Sequence, residues 1–209
     1  IIPVKEINPY IRKFVPIILK QNFKDFEIII IPNEKTKESF GRTIIIPSGN
    51  VGPAKKRDMG AKKAKGEILA FIDDDAYPDS FWLSEALETF EDKNVAAIGG
   101  PNLTPKESNF FQKLSGFTLS SYLISGPVAF RYKRSKFMEV DDLPSCNFFV
   151  RKDIFKKLNG FDTSFWPGED TKLCLDIKKL GKKIIYNPDL TVYHHRRENL
   201  KGYLKQIST

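Results

Sequence analysis

Two rhythms of hydrophobic and polar positions run along this chain. Short, nearly continuous apolar runs at 1–4, 27–31, 43–46, 67–72 and 95–98 have strand length and β-branched content. Between them, 8–21, 54–65, 80–91 and 107–123 carry their apolar residues at helical spacing. Alternating strand and helix predicts an α/β fold, with a mainly parallel sheet covered on both faces. The run "ILAFI" at 68–72 does not alternate, which marks a central strand buried on both sides. The following helix begins near Asp79 and Ser80 and repeats Leu83, Leu87 and Phe90.

The second half is less regular. "SCNFFVRKDIFKKLNGFD" predicts a strand over 146–151 running into a short helix that stops at Asn159 and Gly160, a C-cap pair. After "WPGED" a helix places Leu173, Ile177 and Leu180 on one face and ends at Gly181, with strands following at 183–187 and 190–193. Residues 125–143 are polar and basic without periodicity, and read as a loop with freedom to move. The tail "ENLKGYLKQI" sets Leu200, Tyr203, Leu204 and Ile207 at helical spacing against lysines, a pattern that fits either docking on its own domain or lying on an anionic membrane.

Composition bounds the function. A chain of 209 residues, 41% hydrophobic, buries one substantial core and fits one domain. No apolar run is long enough to span a bilayer, so a soluble segment is expected, with ends trimmed because "IIPVKE" opens in mid-strand without methionine. Cys146 and Cys174 belong to no CxxC pair, which suits a reducing, cytoplasmic setting, with contact at the cytoplasmic membrane face if the tail lies there. The net charge of +8 admits an anionic partner: nucleic acid, a phosphorylated small molecule or an acidic membrane. Much of it is lysine on helix faces, which favours a plain solvated surface over a dedicated polyanion groove.

The chemistry gathers at "FIDDDAYP". Asp73, Asp74 and Asp75 leave the carboxyl end of a central strand, the rim where open α/β sheets bind ligands. Three adjacent carboxylates raise one another's pKa unless a cation neutralises them, and Mg²⁺ or Mn²⁺ held with substrate phosphates does this. An acidic turn capping a helix is the plainer alternative. An acidic rim also argues against a nucleic acid there.

At this point the sequence resembles the inverting family 2 glycosyltransferases of the GT-A fold, over nearly its whole length. "IIPVKE" is similar to that family's first strand, "GPAKKRDMGAKKAKGEILAFIDDDAYP" to its phosphate-side loop, helix and DXD motif, "NFFVRKDIFKKLNGFD" to its acceptor-side segment, and "GED" to its catalytic motif. The resemblance implies one Rossmann-like GT-A domain over 1–209, with a nucleotide-sugar half (1–100) and a smaller acceptor half (101–209). It implies a metal-dependent transfer from a nucleoside diphosphate sugar to a glycan or lipid-linked hydroxyl. Pro3, Val4, Glu6 and Asn33 would line the nucleoside pocket, Arg57 would approach the phosphates, Asp73 the nucleoside, Asp74 the ribose and Asp75 the metal. Asp170 would be the base, Glu169 its positioning partner, and Asn147 and Trp166 would face the acceptor.

The family's second strand usually ends in two aspartates, whereas here Pro32, Asn33 and Glu34 follow "EIIII". A UDP-sugar is the first expectation, with GDP and dTDP sugars open. His194 or His195, followed by Arg196 and Arg197, would complete the metal shell or meet the diphosphate. Lys55 and Lys56 add positive potential at a helix start or are simply solvated. Phe165 and Trp166 offer a platform for a sugar ring or pack into the core. Without the resemblance, Glu169 and Asp170 read as acids complementing a helix N-terminus. No QxxRW motif is visible, which favours single addition. The alternatives are a nucleotidyltransferase, whose glycine-rich phosphate loop is not seen after "IIPVKE", and a non-catalytic basic binding module, which would bind arbitrary strands with steep salt dependence.

Overall fold

The structure, a computed structural model, describes residues 1–165 and 167–199. The amino-terminal part runs β1 (Ile2–Pro3), α1 (Pro9–Ile18), β2 (Ile28–Ile31), β3 (Thr43–Ile45), α2 (Pro53–Lys63) and β4 (Ile68–Ile72). Then come β5 (Ala76–Pro78), α3 (Trp82–Thr89), β6 (Val95–Gly99), β7 (Asn102–Leu103), α4 (Phe110–Ser120) and α5 (Tyr122–Ser125). A 3₁₀ helix (Gly126–Tyr132) leads to β8 (Met138–Glu139), β9 (Asn147–Arg151), α6 (Lys152–Lys157), α7 (Glu169–Lys179), β10 (Lys183–Tyr186) and β11 (Val192–His194).

The predicted α/β layering forms. β1, β2 and β3 pair in parallel, and a five-stranded sheet follows in the order β4-β9-β6-β10-β8. Ile1 joins the two: its nitrogen donates to the Ala70 carbonyl at 2.8 Å and its own carbonyl accepts from Ile72 N at 3.3 Å. That pattern makes β1 a parallel neighbour of β4. The parallel character is interrupted in the middle, where β9 returns from the second half and runs antiparallel to both β4 and β6, and at the edge, where β8 is antiparallel to β10. A small third sheet, β5-β11-β7, sits at the rim.

Both faces of the central strands are dry. Phe149, Ile72 and Ile98 meet α1 and α3, whereas Phe148, Val150 and Phe71 meet α2, α6 and α7. Alternation along β9 therefore feeds two cores, each large side chain contributing about 1.5–3 kcal/mol by leaving water. The Asn159 and Gly160 stop holds as read, with φ of 63° and 80° and Gly160 N donating to the Phe155 carbonyl at 2.9 Å.

Two expectations need correction. The helix read over 107–123 breaks at Ser121, which is extended (φ −76°, ψ 132°) and separates α4 from α5. Residues 125–143 are not a free loop: they hold the 3₁₀ helix and β8, which pairs antiparallel with β10, and Arg131 is ion-paired to Asp142. Long-range pairing orders a segment with no local period of its own. Among the described residues no helix is long and apolar enough to cross a membrane. The tail positions Leu200, Tyr203, Leu204 and Ile207, and Trp166, lie outside the described residues.

Candidate active site

The chain leaves β4 as Asp73, Asp74 and Asp75 before turning into β5. β11 pairs antiparallel with β5, setting His194 opposite Ala76, and His195 N donates to the Asp75 carbonyl at 3.1 Å. His194 Nε2 then lies 3.0 Å from Asp75 Oδ1. Burial pushes the Asp75 carboxyl up, but the charge and hydrogen bond of His194, with Arg197 and a backbone N–H, together leave it below the ordinary value. Burial likewise disfavours the charged imidazole, yet Asp75 holds His194 protonated well above its usual range.

One ligand atom from each of Asp73, Asp75 and His194 lies within 4.8 Å of the others, a grouping that can close on one divalent cation. Asp74 turns the opposite way and accepts from Asn8 Nδ2. Burial, with Asp75 close by, raises its carboxyl to about 6. Asn8 also caps α1, its Oδ1 accepting from Ile11 N at 2.9 Å, so the helix cap and the acidic loop share one side chain. Adjacent strand residues face opposite sides, and His195 accordingly packs among rings, 5.0 Å from Tyr10 and 5.6 Å from Phe14.

Arg57, on α2, reaches the same rim from beneath. Its Nη2 donates to Asp73 Oδ1 at 2.7 Å and its Nη1 to Glu169 Oε1 at 3.4 Å, both cation and glutamate being buried. One guanidinium thus ties the acidic loop after β4 to the first turn of α7. Burial raises the Glu169 carboxyl above its ordinary value. Gly168 takes φ 120°, a conformation that L side chains resist, and so allows the sharp entry into α7. Asp170 is the more open of the pair: Oδ2 accepts from Ser145 N at 3.1 Å and Oδ1 from Thr171 N at 2.9 Å.

The two lysines separate. Lys55 is exposed, whereas Lys56 is buried and donates to the Val4 carbonyl and to Asn33 Oδ1, with its ammonium pKa lowered by burial. It braces the carboxyl ends of β1 and β2. Pro3 and Val4 are buried behind it, while Glu6 and Asn33 line a cleft of about 330 Å³ together with Lys5, Ile7, Pro32 and Glu34. A larger, mainly apolar cavity of about 670 Å³ opens between α1, α3 and the sheet, but none of the clustered acids, His194 or Arg57 lines it.

The model of the family described as "Glycosyl transferase family 2" matches residues 1–159. The chain belongs to this family. Among curated relatives, a glucosyl-dolichyl phosphate glucuronosyltransferase of Haloferax volcanii is 23% identical, over 85% of this chain and 61% of its own length. A dolichyl N-acetyl-glucosaminyl phosphate diacetamido-dideoxy-glucuronosyltransferase of Methanococcus voltae is 24% identical, over 99% of this chain and 69% of its own. The chain thus spans about three fifths of the first of these relatives. A solved mannosyltransferase of Pyrobaculum calidifontis, in complex with GDP-Man and Mn²⁺, shares the fold at TM-score 0.68 and 16% identity, covering 100% of this chain and 63% of that one. GalNAc-T7, solved with UDP, GalNAc and Mn²⁺, does so at TM-score 0.71 and 16% identity, covering 99% and 46%.

Within this family 2 chain, one expected site residue is misplaced. Asn147 has no exposed surface: its Oδ1 accepts from Trp82 Nε1 at 2.9 Å and its Nδ2 donates to the Leu190 carbonyl at 2.8 Å. With its amide spent on clamping β9 to α3 and the rim, it has no atom left for an acceptor. Asn8, and the bridging by Arg57, were not anticipated. The only local signal for Asn8 was an Asn before Pro9, a helix-start pair.

Proposed function

We propose that this chain is a metal-dependent inverting glycosyltransferase, one domain whose residues 1–100 hold a nucleoside diphosphate sugar and whose residues 101–209 hold the acceptor. The observation that carries this reading is Arg57, which joins Asp73 of the acidic cluster to Glu169 beside Asp170. The donor and the base then share one charged hub.

Two carboxylates and an imidazole suit Mn²⁺ better than Mg²⁺, whose preferred shell is all oxygen. Asp73, Asp75 and His194 would hold the ion, which supplies charge neutralisation for a departing diphosphate. The residues do the rest. The cleft at Glu6, Asn33 and Glu34 takes the nucleoside, with UDP as the first choice. Asp170, oriented by two backbone N–H groups, takes the proton of the acceptor hydroxyl while that hydroxyl's oxygen bonds to the anomeric carbon and the bond from that carbon to the diphosphate breaks. Buried Glu169 holds Arg57 and thereby the turn that aims Asp170. The dolichyl-linked relatives favour a lipid-linked acceptor.

Calorimetric titration with UDP, with and without Mn²⁺, tests the donor side on the native chain and on Asp75→Ala. Binding that needs Mn²⁺ and disappears in the variant supports the reading. If UDP, GDP and dTDP all fail to bind a folded sample, the transferase reading falls.

A further inference from the structure

Helix α4 is turned inside out. Its buried residues are Gln112, Ser115 and Gly116, at i, i+3 and i+4, while Phe110, Leu114 and Phe117 point outward with 82%, 49% and 76% of their surface exposed. A helix packed on a core normally does the reverse. The orientation is fixed by specific contacts, since Gln112 Nε2 donates to the Arg196 carbonyl at 2.8 Å. A Cβ on Gly116 would stand 2.0 Å from Thr104 Oγ1, so the helix sits where only glycine allows. Beyond the break at Ser121, α5 continues the apolar surface with Tyr122, Leu123 and Ile124, Leu123 being 94% exposed.

Charge identifies the partner. Between 106 and 137 the sequence carries Lys106, Lys113, Arg131, Lys133, Arg134 and Lys136 against one acid, Glu107. Lys133, Arg134 and Lys136 are exposed beside Phe137, itself exposed, and Arg131 is held by Asp142. Exposed aromatic and aliphatic side chains accompanied by exposed cations match a bilayer interface with anionic headgroups, in which such a face buries to a depth of about 5–10 Å.

We propose that α4, α5 and the basic segment 131–136 form a docking surface for an anionic phospholipid bilayer. Asp142, which holds Arg131, also accepts from Thr171 Oγ1 at 2.9 Å, next to Asp170. The surface is therefore tied directly to the first turn of α7. The docking inference stands on exposure and charge and is independent of the transferase reading.

The test is co-sedimentation of the 209-residue chain with vesicles of phosphatidylcholine alone and of phosphatidylcholine with phosphatidylserine. Binding is expected only with phosphatidylserine and is expected to weaken as salt rises. The double variant Phe117→Ser/Leu123→Ser and the charge reversal Lys133→Glu/Arg134→Glu should each lower partitioning about ten-fold or more, while Leu87→Ser, on α3, leaves it unchanged. Mn²⁺-dependent UDP binding by the same samples reports on the donor side separately, so failure of one reading does not mimic failure of the other. Absence of vesicle binding by the native chain, or equal binding by both variants, overturns the proposal. So does a dimer that Phe117→Ser/Leu123→Ser dissociates, which would make this face an interface between copies.

Discussion

The helices α1 and α4 show how differently the two halves of the molecule use the same local code. Both start at an asparagine whose side chain accepts from the third residue of the helix, and both carry apolar residues at helical spacing. Yet α1 turns Ile11, Phe14, Val15 and Ile18 into the core, whereas α4 shows its aromatics to the outside. The contrast extends to the charges. In the amino-terminal half Arg57 is paired with Asp73 and Lys56 is bonded to Asn33, while Asp75 is met by His194 from β11, so the charges around the acidic loop are answered from within the fold. The carboxy-terminal half shows the apolar residues of α4 and α5 and the cations Lys133, Arg134 and Lys136 on its surface.

The comparison breaks most sharply at Asp170. Asp170→Asn is expected to lower turnover by about 10²–10⁴-fold while leaving nucleotide affinity as it was, measured by initial rates and calorimetry. Unchanged turnover would show that Asp170 is not the base. Next comes the helix pair: Phe14→Ala should cost about 3–5 kcal/mol in urea unfolding, against about 0.5 kcal/mol or less for Phe117→Ala. Similar costs for both would mean that α4 is not inverted.

Metal sharpens the donor side. Mn²⁺ at about 100 times its Kd should add about 2.7 kcal/mol to the unfolding free energy, and EDTA or Asp75→Ala should abolish the gain. A gain that survives in Asp75→Ala would place the ion elsewhere. Within α4, Gly116→Ala, where a methyl group is pressed on Thr104, should cost about 1–3 kcal/mol, read as a shift in the urea midpoint. No shift would show that α4 is free to slide.

Features set by nearby residues were legible. "EIIIIP" became β2, the acids after "ILAFI" fell at the rim, and Asn159 and Gly160 ended α6 as read. What depended on distant partners was not. Period two says that His194 and His195 face opposite sides, but only the pairing of β11 with β5 decides which one meets Asp75. Lys55 and Lys56 look alike in sequence, and about 100° of helix rotation makes one a surface charge and the other a buried brace. Asn147 looked available because nothing local announces Trp82 as its partner. Arg57 was placed near the phosphates, and its hold on Glu169 needed α7 in position.

The place of β9 sets a timetable for synthesis. Ile68 pairs with Arg151, so β4 emerges about eighty residues before the strand that completes it. At roughly 5–20 residues per second, a ribosome leaves that apolar edge open for on the order of 4–16 seconds. During that interval β4 has β1 on one side and an unpaired edge on the other, and the nascent chain depends on whatever shields such edges in the cell until residue 151 arrives.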